Sequence, residues 1–548
     1  MAPGDSTLRI LLLKPSHYDE EGYVVQWWRA LVPTQALAVI NGILLDAAER
    51  RVLGPGVGVE VRVVDEIATA VEPPRLVRWL RGAERALVML VGVQTSQYPR
   101  AVDLARPFIA AGVPTIMGGF HVSGIHALTA HWHDGLAAAR DAGIALYAGE
   151  LEEGVDELLG DAWSGTLKPL YDRLQPTIDM SRAPIARIDP STMAKVFYGL
   201  AGMDLGRGCP FLCSFCTVIN VHGRKPRQRT VEDAVAYVRH AAALGLHRFL
   251  VVDDNFARNR NWEAICDALI ELREREGLAV ELFIQVDTRA TAIPRFVEKV
   301  TAAGCRRVFI GIESVREDNL TAAAKKQNKG TELGEMAATW RRAGVMIYGA
   351  FIIGFPHDTP ERVAEDIRFL QEEVAIDVLE FFILTPLPGS VDHQRLLAAG
   401  AALDPDFNRY TDERPVCEHP LMSGEEWLKL YRDAWAWYYS DAHLERTLRR
   451  ALADGLPVKE VLASLVLYYG LPRFDEVHPL TGGLIRRKRR LQRRPGMPIE
   501  PAWRFHPRRW WETLRTQGGM MALSWRLHRM LRGLRRHSRE ENKATRHP

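Results

Sequence analysis

The stretch Gly206-Arg207-Gly208-Cys209-Pro210-Phe211-Leu212-Cys213-Ser214-Phe215-Cys216 puts three cysteines into eight positions, spaced C-x3-C-x2-C. Three thiolates on one loop can hold three irons of a [4Fe–4S] cluster, where a site built wholly from protein uses four cysteines. The fourth iron is then open to a ligand from outside the chain, which turns an electron carrier into a reagent. The same sulphurs with a fourth ligand would make a zinc site, and His222 is near enough in sequence to supply one. Cys266, Cys305 and Cys417 are isolated and read as ordinary residues. No cysteine precedes Cys209, so the six in this chain are not a secreted disulfide framework; they point to a metal site in a reducing compartment.

Such a loop needs a scaffold, and the hydrophobic pattern describes one. Strands are predicted at 196–205, 248–253, 280–286, 307–312, 346–353 and 378–384, with amphipathic helices at 231–244, 262–276, 294–303, 332–343 and 360–374 between them. Six βα units suggest a barrel or part of one. Polar motifs follow the strands: the cysteines, Asp253-Asp254-Asn255, Glu313-Ser314 and Gly354-Phe355-Pro356. In a (β/α) barrel that end is the catalytic face. Before residue 160 a second alternation occurs, with near-continuous apolar strands at 8–14, 59–65, 86–94, 114–119 and 144–149, the pattern of a doubly wound parallel sheet. Ligands bind beyond the carboxyl ends of such strands. Those ends carry Ser16, Gln94-Thr95-Ser96, Gly118-Gly119-Phe120-His121 and Gly149-Glu150, which are also ordinary turn residues.

The cysteine loop and the ordered motifs behind it resemble the radical SAM superfamily. The resemblance implies a [4Fe–4S] cluster on Cys209, Cys213 and Cys216, with S-adenosylmethionine (SAM) on the open iron. It implies that Phe215 packs on the adenine and that Asp253, Asp254 and Asn255 lie where the family holds the methionyl amino group. Glu313 and Ser314 look like the fourth-strand motif at the ribose and methionine, and Gly354 belongs to a fifth-strand motif beside the adenine. In the family, one electron from the cluster cleaves SAM to a 5′-deoxyadenosyl radical that takes hydrogen from the substrate, and a flavodoxin- or ferredoxin-type protein supplies the electron.

The N-terminal region resembles the cobalamin-binding domain of cobalamin-dependent radical SAM enzymes, which would place Ser16, Gln94, Thr95, Ser96, Gly118, Gly119, His121, Gly149 and Glu150 around cobalamin. It departs from one pattern: Ser16-His17-Tyr18-Asp19-Glu20-Glu21-Gly22 replaces the Asp-x-His-x-x-Gly that supplies a lower cobalt ligand. His17 and His121 are the remaining histidines there, and each reads first as a loop residue. The expected organisation is α/β throughout. A Rossmann-like cobalamin-binding domain spans 1–160, a linker 161–195 and a partial (β/α)6 radical SAM barrel 196–395. A helical region (396–480) and a basic tail (481–548) follow.

The implied reaction is C-methylation of an unactivated carbon. The alternative is cobalamin-assisted rearrangement, cyclisation or carbon–carbon coupling. A methylthiotransferase would carry further N-terminal cysteines, which this chain lacks. A non-catalytic Fe–S or zinc module that binds nucleic acid is the rival from another class, but no RNA-binding signature accompanies the charge. Composition agrees with a globular enzyme: 47% of residues are hydrophobic and 25% charged, and no apolar run approaches the ~20 residues of a membrane span. Residues 1–7 show no secretory signal, so a cytoplasmic enzyme is expected.

The net charge of +3 hides an asymmetry. The tail 481–548 has 19 Lys and Arg against 4 Asp and Glu, so it carries +15 and the remainder −12. Met520, Leu523, Leu527, Met530, Leu531 and Leu534 recur at helical period there, flanked by arginines and near Trp503, Trp510, Trp511 and Trp525. Such a helix suits an anionic bilayer at the inner membrane face, which would favour a lipid or other apolar substrate. Alternatively, it packs on the enzyme's own acidic body.

Overall fold

The computed structural model describes residues 6–128 and 135–544, with side chains to residue 537. The outermost residues of the predicted N-terminal domain (1–5) and of the basic tail (545–548) lie outside the described residues. The chain opens with β1 (Ser6–Lys14), the short β2 (Trp27–Ala30), α1 (Gln35–Glu49), β3 (Val57–Asp65) and β4 (Arg85–Leu90). Then come α2 (Tyr98–Ala110), β5 (Thr115–Gly118), β6 (Ala145–Gly149) and β7 (Leu170–Arg173). Six of these strands form one parallel sheet in the order β3-β1-β4-β5-β6-β7. In β1, Leu8, Ile10 and Leu12 enter one hydrophobic core while Leu11 and Leu13 enter another, and all five are fully buried. Layers on both faces of a parallel sheet are why its strands read as continuous apolar runs. The next two strands of this sheet, β3 and β4, lie on opposite sides of β1, which places the switch point of the sheet between β1 and β4.

The predicted linker 161–195 is more structured than its weak periodicity indicates. It supplies β7, the sixth strand, and then runs along α1, where Arg187 N–H donates to the Ala38 carbonyl and Asn41 Nδ2 donates to the Arg187 carbonyl. Four-residue β7 is too short to show a period.

The second sheet is built from β8 (Leu200–Met203), β11 (Arg248–Val251), β12 (Glu281–Val286), β13 (Cys305–Glu313), β14 (Met346–Ile353) and β15 (Val378–Ile383), paired in parallel in sequence order. Between them, α3 (Val231–Ala243), α4 (Trp262–Arg275), α5 (Phe296–Ala302), α6 (Leu333–Arg342) and α7 (Pro360–Phe369) cover the outside. The first and last strands of this sheet are not paired with each other, so the barrel is partial. A small antiparallel ribbon, β9 (Gly206–Arg207) with β10 (Arg227–Gln228), clasps the ends of the cysteine loop. Behind it α3 starts in a capping box, in which Thr230 Oγ1 accepts from Asp233 N–H and the Asp233 carboxylate accepts from Thr230 N–H.

The helical region consists of α8 (Gly424–Tyr438), α9 (Asp441–Ala453) and α10 (Val458–Gly470). Trp435, Tyr438 and Tyr439 are packing residues: all three are buried, and the Tyr439 hydroxyl both donates to the Leu379 carbonyl and accepts from Leu379 N–H. That phenol closes an unpaired position on β15, the edge strand.

The basic tail is part of the fold. Its strand β16 (Gly483–Arg486) pairs antiparallel with β2, and the long helix α11 (Ala502–Ala544) packs on α9 and α10. Leu523, Leu527, Leu531 and Leu534 join the main core, so the apolar stripe found in the sequence faces the protein. Salt bridges fasten the segment from outside: Arg486–Asp19 at 2.8 Å, Arg494–Asp406 at 2.6 Å and Arg526–Asp441 at 2.8 Å. Of the two readings of that stripe, packing on the acidic body is the one observed.

Candidate active site

The cysteine loop leaves β9 under the control of two neighbouring carboxylates. Asp253 accepts from the N–H groups of Leu205 and Gly206, both at 2.9 Å, and from Asn259 Nδ2 at 3.0 Å. It is therefore turned toward the strand beneath the loop. Asp254 is turned toward the loop itself, accepting from Gly208 N–H at 2.6 Å, with His222 Nδ1 3.1 Å away. That contact commits His222 to Asp254. Asn255 donates to Asp287 at 2.9 Å, while its own Oδ1 is buried without a partner.

Cys209, Cys213 and Cys216 are free thiols whose charges act on one another. Burial pushes Cys209 up to about 11 and Cys216 up to about 12, and it raises Cys213 as well. Coordination to a metal removes such protons outright. Among the described residues, no group of three or more His, Cys, Asp or Glu side chains converges on a point where one ion would sit. Cysteines that hold different irons of a cluster do not need to converge.

Two residues that no spacing revealed complete this corner. Gln327 Nε2 donates to Cys213 Sγ at 3.3 Å. Lys325 is buried, bonded to Glu313 at 2.6 Å, and lies 5.9 Å from the Phe215 ring centroid. Both come from the segment after β13, and Gln327 lies 114 residues beyond its sulphur partner, so only folding brings them here. A cation and an amide N–H beside thiolates stabilise negative charge on sulphur. Glu313 sits at a register break in β13 with φ +63°, a conformation that costs energy for a residue with a side chain. Ser314 is buried, and its Oγ accepts from Arg316 N–H. Phe215 packs edge-on to Phe355. Gly354 (φ +112°) is required by packing, since a Cβ there would come within 1.9 Å of the Trp427 ring.

The carboxyl ends of the first sheet meet this corner across a cavity of about 490 Å³. Ser16, Gln94, Gly118, Gly119, Gly149 and Glu150 line one side, with Asp254, Gly206 and His222 on the other. Thr95, Ser96 and His121 do not line it. His121 is fully buried between Tyr98 and Phe407, and burial lowers its pKa to about 3, so it is a core histidine. His17 does line the cavity. Ser16 is held internally, with its Oγ donating to the Val25 carbonyl. Gly119 has φ +138°, and a Cβ there would meet Val93 N at 2.2 Å, so its small size serves the chain crossing behind it.

Glu150 ties the two sheets together. It pairs with Arg207 at 2.6 Å and Arg227 at 2.7 Å; Arg207 also contacts Glu152 at 2.8 Å and Asp204 at 2.9 Å. Arg229 reaches Asp204 from the far side at 3.1 Å. These arginines hold Glu150 below its usual range despite burial and bring Asp204 down to about 2. Arg207 adjoins the cysteine loop, so this network also sets where the loop starts.

The profile of the Radical SAM superfamily matches residues 203–370, which begin at the end of β8 and run past α7. Bacteriochlorophyllide d C-8(2)-methyltransferase of Chlorobaculum tepidum is 26% identical over 369 residues, 64% of this chain and 78% of that protein. Hopanoid C-2 methylase of Rhodopseudomonas palustris is 26% identical over 309 residues, 55% of this chain and 56% of that protein, so the match spans just over half of that relative. In three dimensions the chain is similar to the radical S-adenosylmethionine methyltransferase TsrM from Kitasatospora setae, solved with cobalamin and a [4Fe–4S] cluster bound. The TM-score is 0.60 at 16% identity, over 84% of this chain and 99% of that one. It is also similar to the cobalamin-dependent S-adenosylmethionine radical enzyme OxsB (TM-score 0.55, 12% identity, over 99% of this chain and 81% of that one). With the cysteine loop following the first strand of a partial barrel and a doubly wound sheet facing it, residues 203–370 form a domain that matches the Radical SAM superfamily, and the chain as a whole shares the fold of the solved TsrM and OxsB.

Proposed function

We propose that this enzyme methylates an unactivated carbon of a small, largely apolar molecule, using a [4Fe–4S] cluster, SAM and cobalamin. The observation that carries the reading is the single cavity shared by the carboxyl ends of both sheets, which runs from Gly118, Gly119 and Gly149 to Asp254 beside the cysteine loop. Relatives named as methyltransferases of bacteriochlorophyllide and hopanoid favour methyl transfer over rearrangement or coupling. When bound, the groups supply radical formation and a transferable methyl. The chain's own task is positioning and exclusion of water. Cys209, Cys213 and Cys216 would hold the cluster, with Gln327 and Lys325 offsetting its charge. Phe215, Asp254, Asn255, Glu313, Ser314 and the turn at Gly354 would surround SAM, and Asp253 would set the strand beneath. The donor set fits: buried Cys213 accepts an amide N–H from Gln327, the Lys325 ammonium acts on both Cys213 and Cys216, and the orphaned Asn255 Oδ1 awaits a donor. Cobalamin would occupy the cavity against Ser16, Gln94, Gly118, Gly119, Gly149 and Glu150. Anaerobically reconstituted protein is expected to retain about one cobalamin per chain and, with trideuteromethyl SAM, to yield a product heavier by one labelled methyl group. Turnover of SAM without label in any product would favour rearrangement or coupling. An electron donor of flavodoxin or ferredoxin type and a reducing cytoplasm are the setting this reading requires.

We also place a membrane contact on α11, on the face opposite the one read from the sequence. Trp503, Trp510, Leu514, Met521 and Trp525 recur at alternating steps of seven and four residues, which is one line along a helix, and they are 46–78% exposed. Arg529, stacked over Trp525, and exposed Arg532, Arg535 and Arg536 extend the line. No helix among the described residues is long and apolar enough to cross a membrane, so the contact would be peripheral. Interfacial tryptophans beside basic charges bind anionic bilayers, at about 1 kcal/mol per charge near the surface. Deleting the tail would remove β16 and part of the core, so the informative variant is Trp503→Ser/Trp510→Ser/Trp525→Ser. It is expected to keep the wild-type melting temperature and to lose salt-sensitive flotation with phosphatidylglycerol vesicles. Equal flotation of both proteins, or none by wild type at low salt, would leave this face without a lipid role.

A further inference from the structure

Inside the partial barrel is a second cavity of about 370 Å³, within the ~300–1,000 Å³ of sites for drug-sized ligands. Its wall consists of residues that alternate along the strands, including Leu250, Phe283, Phe309 and Tyr348, and α10 closes it. Val32 and Leu480 line both this cavity and the one between the sheets, so the two spaces share a wall. Glu380 of β15 faces into this apolar lumen. It is 1% exposed, and neither carboxyl oxygen has a hydrogen-bond partner. The Tyr468 hydroxyl is close by but does not meet hydrogen-bond geometry with Glu380. His478 Nε2, also without a partner, lies 3.9 Å away. Of the cations that line the lumen, Arg248 pairs with Glu281 and Arg307 with Glu281 and Glu460, while Lys459 comes from the first turn of α10.

Folding does not account for this carboxyl. A buried polar group left unpaired destabilises the native state, and a leucine would fill the same wall without that penalty. A buried polar group that the fold leaves unsatisfied, in the wall of a mostly apolar cavity, is the usual form of an orienting contact in a site for an apolar ligand. We propose that this lumen is the binding site for the apolar body of the methyl acceptor, and that Glu380 orients it by hydrogen-bonding a hydroxyl or carbonyl oxygen. Burial pushes Glu380 up to about 8, so at neutral pH the group is a neutral donor and acceptor, which suits an uncharged partner. The assignment to the acceptor rests on the methylation reading. The binding of neutral apolar molecules does not.

The test uses a matched pair of probes, 4-cyclohexylphenol and phenylcyclohexane, in equilibrium dialysis against the full chain carrying its cluster and cobalamin. Wild type is expected to bind the phenol about tenfold more tightly than the hydrocarbon. Glu380→Leu should bring that ratio close to one while still binding the hydrocarbon, and Glu380→Gln should keep most of the preference. Ala463→Trp, which fills the lumen from α10, should exclude both probes. Glu380→Leu should also melt at or about 1–3 °C above wild type, because it removes an unpaired buried group. The proposal is overturned by any of three results: no preference in wild type, a preference that survives Glu380→Leu, or a clear fall in the melting temperature of Glu380→Leu, which would make the carboxyl structural. Iron and cobalamin contents of the same samples separate this outcome from failure of the methylation reading, which would appear as missing cobalamin or missing methyl transfer with the probe ratio intact.

Discussion

In the triple variant Cys209→Ala/Cys213→Ala/Cys216→Ala, iron is expected to fall from about four atoms per chain after anaerobic reconstitution to almost none. Release of 5′-deoxyadenosine from SAM should vanish with it. Cys266, Cys305 and Cys417 lie outside the loop in sequence, and Cys266 and Cys305 are sealed in the core, so a variant with all three replaced by serine or alanine should keep its iron. Gln327→Leu tests the neighbourhood. Removing its N–H from Cys213 Sγ should leave the iron content nearly unchanged and shift the cluster's reduction potential to a lower value, because one stabilising hydrogen bond to sulphur is lost. Equal iron in wild type and the triple variant would refute the cluster assignment.

The second large effect is on stability and comes from Arg207. Arg207→Met leaves Glu150, Glu152 and Asp204 with one cation fewer in a site where all three carboxylates are nearly buried. Breaking such a group costs about 3–5 kcal/mol, which chemical denaturation would register as a clear drop in midpoint. The pH dependence has a definite sign. Asp204 titrates at about 2 in the folded chain, below its ordinary 3.8. Its contribution, about 2 kcal/mol, is therefore present above pH ~4 and is lost as the pH falls toward 2. Arg207→Met should flatten this acid limb, with Arg229 sustaining the remainder. Because Arg207 adjoins the cysteine loop, the variant should also reconstitute less iron, whereas a loss of the same size confined to the N-terminal sheet would not. An unchanged midpoint would mean that the network only breaks even against solvation.

The chemistry of the cysteine loop, the order of the strand-end motifs and the two βα alternations were all legible from the residues in line. Each depends on a local pattern: a fixed spacing, a period of two or 3.6, or a polar residue just after an apolar run. Strand β14 was located to the residue for that reason, and the barrel helices to within a few positions. Partners distant in sequence leave no such trace. Gln327 and Lys325 reach the cysteines only because β13 returns the chain to them, and the role of Arg207 exists only because Glu150 arrives from another sheet. Periodicity also cannot tell which of two apolar lines on a helix faces inward. On α11 the leucines meet α9 and α10 and the tryptophans meet solvent, a choice made by the surfaces available for packing. His121 shows the same limit, since a strand-end histidine reads as a loop residue that could meet a ligand until Tyr98 and Phe407 close over it. Glu380 marks the far end of this range. In sequence it is a charge within an apolar strand, and only the assembled barrel, in which neither carboxyl oxygen makes a hydrogen bond, makes that residue informative. Local propensity therefore wrote the scaffold and the cofactor loop, while burial and long-range pairing decided which polar groups are satisfied and which remain free to meet a ligand.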